Sequence, residues 1–594
     1  MKELAHLNKY FLKYKWQLLL GVLFVALSNV FKVLSPRVLS WAIDMVSQNI
    51  NLYASFENFD LQKVLEASFR KSLLVFTLVY FATALLSGFF TFFMRQTIIV
   101  VSRLIEFDLK NEIYEHYQKL DTAFYKRNNT GDLMNRATED VSKVRMYLGP
   151  ALMYMINVFF LFAFVIYTML SINVELTLWV LLPMPFLTVS IFYVNNLINK
   201  KSEAIQRQLS VLTSNAQEFY SGIRVLKSYV QEKFAYQFYE NESEVYKTKS
   251  LELSRIEALF FPLMIFLVGL STIIVVLIGG VYLQEGKVSA GNIVEFILYV
   301  NLLTWPVTSI GWAASLIQSA AASQKRINEF LHTQGDINSS VGKEIDLKGN
   351  ISFENLDLVY PDTGITALKN LNFSIKAGEK WAIMGKTGCG KTTMAELLLG
   401  MYYPSSGNLL FEGQKVQDLK LNTLRQQMAY IPQEVFLFSD TIYNNIKFGN
   451  SAITDEEAHE AAKKASIYEE IMQFPHGFNT MVGERGVTLS GGQKQRISIA
   501  RALAMQPKVL VFDDALSAVD VHTEKEIVAN LKESIQDKTV MLISHRIFSS
   551  IAFDKILVLD KGEVVESGKH EELLALGGIY AEFFNKQHFE NTVV

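Results

Sequence analysis

The chain has 594 residues, is 50% hydrophobic and only 19% charged, and carries a net charge of −3. Soluble domains average roughly 25% charge, so this balance points to a membrane and gives no reason to expect nucleic acid. The single cysteine, Cys389, excludes an internal disulfide framework.

The N-terminal stretch MKELAHLNKYFLKYKWQ is basic, and the apolar run after it is too long for a signal peptide core. It reads as a cytoplasmic lead into a first spanning helix. Six apolar stretches follow, at about 17–47, 72–102, 148–171, 174–197, 259–282 and 290–316. Each exceeds or approaches the roughly 20 residues that cross a hydrocarbon core. In lipid the backbone satisfies its own hydrogen bonds, so all six are predicted to be helices. Long polar segments, 103–147 and 198–258, separate the second span from the third and the fourth from the fifth. Their helical spacing predicts that the membrane helices run on into water as stalks. Both segments are rich in Lys and Arg, among them Arg103, Lys110, Lys200, Lys201 and Arg207. By the positive-inside rule the segments and both termini are cytoplasmic. Lys32, Arg37, Asp44 and Arg95 lie in or near spans, where charge is costly and often lines a cavity. Pro262 and Pro306 fall within the fifth and sixth spans and are expected to kink them.

After about residue 330 the composition changes to short β-type runs alternating with helical patterns. The predicted organisation is an all-α six-helix transmembrane domain over 1–330, a linker over 331–350, an α/β domain over 351–588 and a tail over 589–594.

WAIMGKTGCGKTT reads as a strand, a glycine loop and a helix start. Its core is GxxxxGK[ST], spanning Gly385, Lys386, Thr387, Gly388, Cys389, Gly390, Lys391 and Thr392, with Thr393 following. The glycines let backbone N–H groups curl toward phosphate oxygens. Lys391 is placed to reach the β- and γ-phosphates of ATP, Thr392 offers a hydroxyl to Mg2+, and the helix N-terminus adds its dipole.

LSGGQKQR, from Leu489 to Arg496, is the second signal, and with it the chain resembles the ATP-binding cassette superfamily over essentially its whole length. The type I exporter fold and a half-transporter architecture follow as expectations. Tyr360 matches the family's adenine-stacking aromatic. Gln433 matches the glutamine that senses Mg2+, and Asp513 closes the Walker B strand as a further Mg2+ ligand. VGERG, 482–486, resembles the exporter X-loop. Ser517 to Asp520 resembles the D-loop, and His545 matches the switch histidine. Leu489, Ser490, Gly491, Gly492 and Gln493 form the signature, which the resemblance places against the γ-phosphate held by a second cassette. ATP then joins two protomers, and a dimer is obligatory.

Asp514 stands where most of the family carries Glu, the residue that orients or deprotonates the attacking water. A general base needs to come within about 2.6–3.2 Å of its proton donor, and a misplacement of about 1 Å costs on the order of 10²-fold. The site of this chain is therefore expected to bind ATP well and hydrolyse it slowly. This pattern resembles one half of heterodimeric multidrug exporters, with a homodimer as the alternative. Short transverse helices around Phe124 and Tyr125, and from Tyr220 to Tyr229, are expected to dock on cassettes. As the resemblance implies, the first sits near both cassettes and the second on the partner's. The reading is an ATP-driven exporter of small amphipathic compounds in a bilayer, expected in a bacterial inner membrane. The alternatives are an ATP-gated channel or regulator, and an importer of the same fold.

Overall fold

The computed structural model describes residues 2–55, 61–337, 339–483, 486, 489–516, 521–547 and 551–593. It divides into two compact units, Met1–His116 with Gly131–Thr333, and Tyr117–Thr130 with Gln334–Val594.

The first unit is helical. Among the described residues, six helices are long and apolar enough to cross a membrane: Lys15–Ile50, Val64–Lys119, Thr130–Ile172, Val174–Ser221, Glu232–Gln284 and Ala290–His332. Each apolar stretch expected from sequence falls inside one of them. At 1.5 Å per residue the 53-residue helix Glu232–Gln284 is about 80 Å long. A hydrocarbon core takes up about 30 Å of that, and the rest forms the expected stalk. Pro262 and Pro306 lie within continuous helices, Glu232–Gln284 and Ala290–His332. The third span instead contains two π-helical turns, Arg136–Asp140 and Tyr147–Ala151, the latter holding Pro150.

Polar groups join the spans of this unit. Asp44 accepts from the Gly291 N–H at 2.8 Å and from the Ser289 hydroxyl at 2.6 Å, so the first span caps the start of the sixth. Two buried acids escaped the sequence reading. Glu295 Oε1 lies 2.9 Å from the Tyr299 hydroxyl. Asp140 accepts from Ser323 at 2.8 Å and from Arg326 Nε at 2.9 Å, pairing the third stalk with the sixth.

The second unit holds two sheets. One is antiparallel, in the order β2-β1-β4-β5, with β1 Ile351–Val359, β2 Thr366–Ile375, β4 Ser406–Phe411 and β5 Gln414–Lys415. The other has the order β10-β9-β3-β8-β7-β6. Its parallel strands are β9 Lys555–Asp560, β3 Lys380–Gly385, β8 Thr539–Ile543, β7 Val509–Asp513 and β6 Met428–Ile431. β10, Glu563–Gly568, is antiparallel at one edge. Strands β3, β7 and β8 are buried along nearly their whole length, as continuous hydrophobic runs predict for a parallel sheet covered on both faces. The stretch expected as a linker packs here too: Ile345 and Leu347 are buried, and the Leu347 N–H donates to Gln427 at 2.8 Å.

Candidate nucleotide site

Parallel strands present their ligand-binding loops at their carboxyl ends. In this sheet β3, β8, β7 and β6 are consecutive neighbours. Their carboxyl ends lead into the Gly385 loop, His545, Asp513 with Asp514, and Gln433 respectively. Four motifs that are far apart in sequence thus share one sheet edge.

The loop after β3 runs into the helix Lys391–Leu398, here α1. Gly390 precedes it at φ +104°, and a Cβ there would lie 2.6 Å from the Ala367 carbonyl, so both backbone and space demand glycine. Gly388 is also left-handed, at φ +80°, and lets the loop turn its N–H groups inward. The Lys391 ammonium donates to the carbonyls of Gly385 (2.8 Å) and Lys386 (2.9 Å), which holds it across the loop. Cys389 is buried, and burial pushes its thiol up against the opposing pull of Lys391. Lys386 and Thr387 are exposed on the loop.

Asp513 is only 1% exposed. It accepts from Thr392 Oγ1 at 3.3 Å and from the Tyr430 hydroxyl at 3.1 Å. Burial raises its carboxyl above the usual range, and those two hydrogen bonds counter the rise only in part. Burial also drives the Tyr430 phenol upward, so it remains a donor. Sequence reasoning missed Tyr430, which only the pairing of β6 with β7 reveals. The hydroxyl of Thr392 and the carboxylate of Asp513 make a hard oxygen pair of the kind Mg2+ takes alongside phosphates and water. Gln433, exposed just beyond β6, adds a third oxygen to the same edge. The donor set therefore fits Mg2+.

Asp514 has φ +48°, and its N–H donates to the Ile543 carbonyl at 2.8 Å. His545 Nδ1 lies 3.0 Å from its Oδ1. His545 thus already holds the short acid. Asp enters left-handed backbone more readily than residues with longer side chains, which gives a second reason for aspartate at this position.

Tyr360 follows β1. Its hydroxyl is 2.8 Å from Thr393 Oγ1, which ties the ring to the first turn of α1. The Lys126 ammonium lies 5.4 Å from the same ring and 5.1 Å from that of Tyr402, and it pairs with Glu396 at 3.0 Å. Neither Lys126 nor Glu396 stood out in the sequence, because the contact joins residues 270 positions apart.

The signature opens a different helix, Gly491–Ala504, here α2. Ser490 caps it: its hydroxyl accepts from the Gln493 N–H, and the Gln493 side chain accepts from the Ser490 N–H at 2.9 Å. Gln493 also donates to Glu470 at 3.0 Å. Leu489 is buried beneath the cap, Gly492 is half-buried, and Ser490 and Gly491 are exposed. The side-chain hydrogen bonds described for Ser490 and Gln493 stay within residues 470–493. Ser517 and Asp520 of the expected D-loop, and Glu484 and Arg485 of the expected X-loop, lie outside the described residues.

Residues 18–307 match the ABC transporter transmembrane region family, and 368–517 match the ABC transporter family. A probable multidrug resistance ABC transporter ATP-binding/permease protein, YheI of Bacillus subtilis, is 32% identical over 98% of this chain and 97% of its own length. The multidrug resistance-like ATP-binding protein MdlA of Escherichia coli is 30% identical over 99% of this chain and 97% of its own. Among solved structures, a bacterial Atm1-family ABC exporter with ATP bound superposes with a TM-score of 0.77 at 25% identity, covering 96% of this chain and 98% of that one.

Proposed function

Because this chain belongs to the ATP-binding cassette transporters, we propose that it is one half of a dimeric exporter that drives amphipathic or lipophilic compounds out across a bacterial plasma membrane. The observation that carries the reading is the separation of two half-sites within one cassette. The phosphate loop, Asp513, Asp514, Gln433 and His545 share one sheet edge, whereas Ser490 and Gly491 stand exposed at the start of α2. A helix start with exposed N–H groups is an anion site, and the family arrangement supplies its anion from a second cassette's ATP. The basic stalk segments support cytoplasmic termini and cassettes.

In this site Lys391 reaches the β- and γ-phosphates, and Tyr360 stacks on adenine. Thr392, Asp513 and Gln433 would hold Mg2+, which when bound would neutralise phosphate charge. Asp514 orients the attacking water, and His545 steadies Asp514. ATP binding closes two cassettes and turns the membrane cavity outward; hydrolysis releases them. The short reach of Asp514 supports a slow site, and with it a heterodimer whose partner carries the faster one.

Inside-out vesicles containing the purified chain, with any co-purifying partner, test the export reading. Cargo accumulates with ATP and stops with a non-hydrolysable analogue; passive flux that persists under the analogue would make the protein a gate. Asp514→Glu raises turnover at this site by about tenfold or more. Equal trapping of nucleotide at both pockets of the assembled pair would remove the case for one slow half.

A further inference from the structure

The membrane unit contains a cavity of about 1180 Å3, lined from the third, fifth and sixth spans. Four flat aromatic side chains stand in its lining: Tyr154, Phe260, Trp305 and Trp312. Tyr154 and Trp312 meet edge to face, their ring centroids 5.5 Å apart. No described residue of the lining carries a charge.

Beside the donors of the two indoles and the Tyr154 phenol, the aliphatic hydroxyls of the lining share one orientation. The Thr272 hydroxyl donates to the Val268 carbonyl (3.1 Å), Thr304 to Val300 (3.0 Å) and Ser309 to Pro306 (2.8 Å). A hydroxyl has one proton, and each of these protons is engaged by its own helix. What each oxygen retains is lone pairs. Asn301 spends one of its two Nδ2 protons on the Ile297 carbonyl at 2.8 Å and keeps its Oδ1 as a further acceptor. An ammonium entering here would lose its hydration without meeting a counter-charge. Attraction to the indole faces offsets only part of that loss. A neutral ring system gains the aromatic surface without that loss, and an O–H or N–H on it meets oxygens that are already acceptors.

We propose that this cavity binds an uncharged, flat aromatic molecule carrying at least one hydroxyl or amide N–H donor, and disfavours permanent cations. The inference rests on the export reading only in taking this molecule as the cargo.

Three pyrenes of matched shape test it on the full-length transporter in lipid nanodiscs: 1-hydroxypyrene, 1-methoxypyrene and a pyrenylmethyl trimethylammonium. Binding is read by energy transfer from tryptophan to pyrene, with empty nanodiscs as the partition control. The hydroxyl probe binds about tenfold tighter than the methoxy probe, which lacks the donor, and the cation binds no better than the methoxy probe. The double variant W305F/W312F abolishes most of the transfer signal. Thr304→Val, nearly the same shape, and Asn301→Leu each narrow the gap between hydroxyl and methoxy probes. Thr304→Val serves as the check should Asn301→Leu misfold. Equal binding of all three probes would mark a lipid-facing groove and overturn the proposal, as would preference for the cation. A signal unchanged in W305F/W312F would place binding elsewhere and overturn it too. ATP-driven uptake of the cation with no preference for the hydroxyl probe sinks this inference and leaves export standing. The stated binding order with no ATP-dependent uptake of any probe does the reverse.

Discussion

The helices Thr122–Arg127 and Ile223–Ser228 are each six residues long, and each interrupts a long polar stretch between candidate membrane spans. Their surroundings differ sharply. The first belongs to the same compact unit as the cassette. Asp121 caps it by accepting from the Phe124 N–H at 2.9 Å, and its other carboxylate oxygen accepts from the Asp336 N–H at 2.8 Å. Ala123 joins the core built by Ile345, Leu347, Leu398 and Tyr402, and Phe124 is buried. The second helix buries none of its residues. Tyr220, Val225, Tyr229 and Val230 are 62% exposed or more, and Val230 turns away at φ +54°. An element so apolar and so bare in water is a surface that expects cover. Among the described residues, the chain packs its first short helix on its own cassette and leaves its second exposed. That asymmetry accords with a cassette from a partner half-transporter covering the second helix.

The most severe way to break the comparison is to charge the bare helix. Val225→Asp would place a carboxylate in an apolar contact and cost about 2 kcal/mol or more, roughly a 30-fold loss of engagement. Transport and cargo-stimulated ATP hydrolysis fall accordingly, while the melting temperature of the isolated chain stays within error, because Val225 is 62% exposed. A drop in melting temperature would mean that the chain itself buries the helix.

The buried helix responds in the opposite way. Phe124→Ala removes a side chain that is 6% exposed and costs about 3 kcal/mol of packing, which loosens 117–130 from the cassette. Trypsin then cuts sooner at Lys126 and Arg127, and more ATP is hydrolysed per molecule transported. Asp121→Ala, which removes the cap, moves the same two readouts less, by about 1 kcal/mol. Unchanged proteolysis in both variants would dissociate this helix from the cassette.

Much of this was legible in the sequence, for identifiable reasons. Six runs of lipid-compatible length read directly, because a bilayer imposes one length scale on every span. The phosphate loop read directly because Gly388 and Gly390 are fixed by backbone geometry that only glycine meets comfortably. Both short helices were expected at Phe124 and at 220–229, but nothing in their composition distinguishes the buried one from the bare one. That difference lies in tertiary contacts such as Asp121 with Asp336, 215 positions apart. Tyr430 and Glu396 were illegible for the same reason: a tyrosine inside a strand and a glutamate on a helix become site residues only once their tertiary partners are known. Asp514 was singled out for its length, whereas its left-handed backbone could not be read from residue type.

The finest distinction between the two helices is electrostatic. Lys126 links the buried helix to α1 through Glu396 and lies beside the ring of Tyr360. Its side chain is 41% exposed and that of Glu396 14%, so solvent screening limits the pair to about 0.5–1 kcal/mol. A double-mutant cycle with Lys126→Met and Glu396→Gln, read by fluorescent ATP analogue affinity, should give a coupling energy of that size and a two- to fivefold weaker affinity in each single variant. Burial would lower the lysine's pKa, yet hydrogen bonding to Tyr402 and Glu396 outweighs it and the value is raised. A raised lysine contributes fully at every pH below its ordinary value of about 10.5 and loses that contribution only as pH climbs through the folded value. The coupling energy should therefore be flat between pH 6 and 9 and shrink with added salt. Strictly additive single effects would mean that the helix Thr122–Arg127 and the Tyr360 ring do not communicate through this lysine. In that case the packing of Phe124 alone would carry whatever passes from the buried helix to the nucleotide.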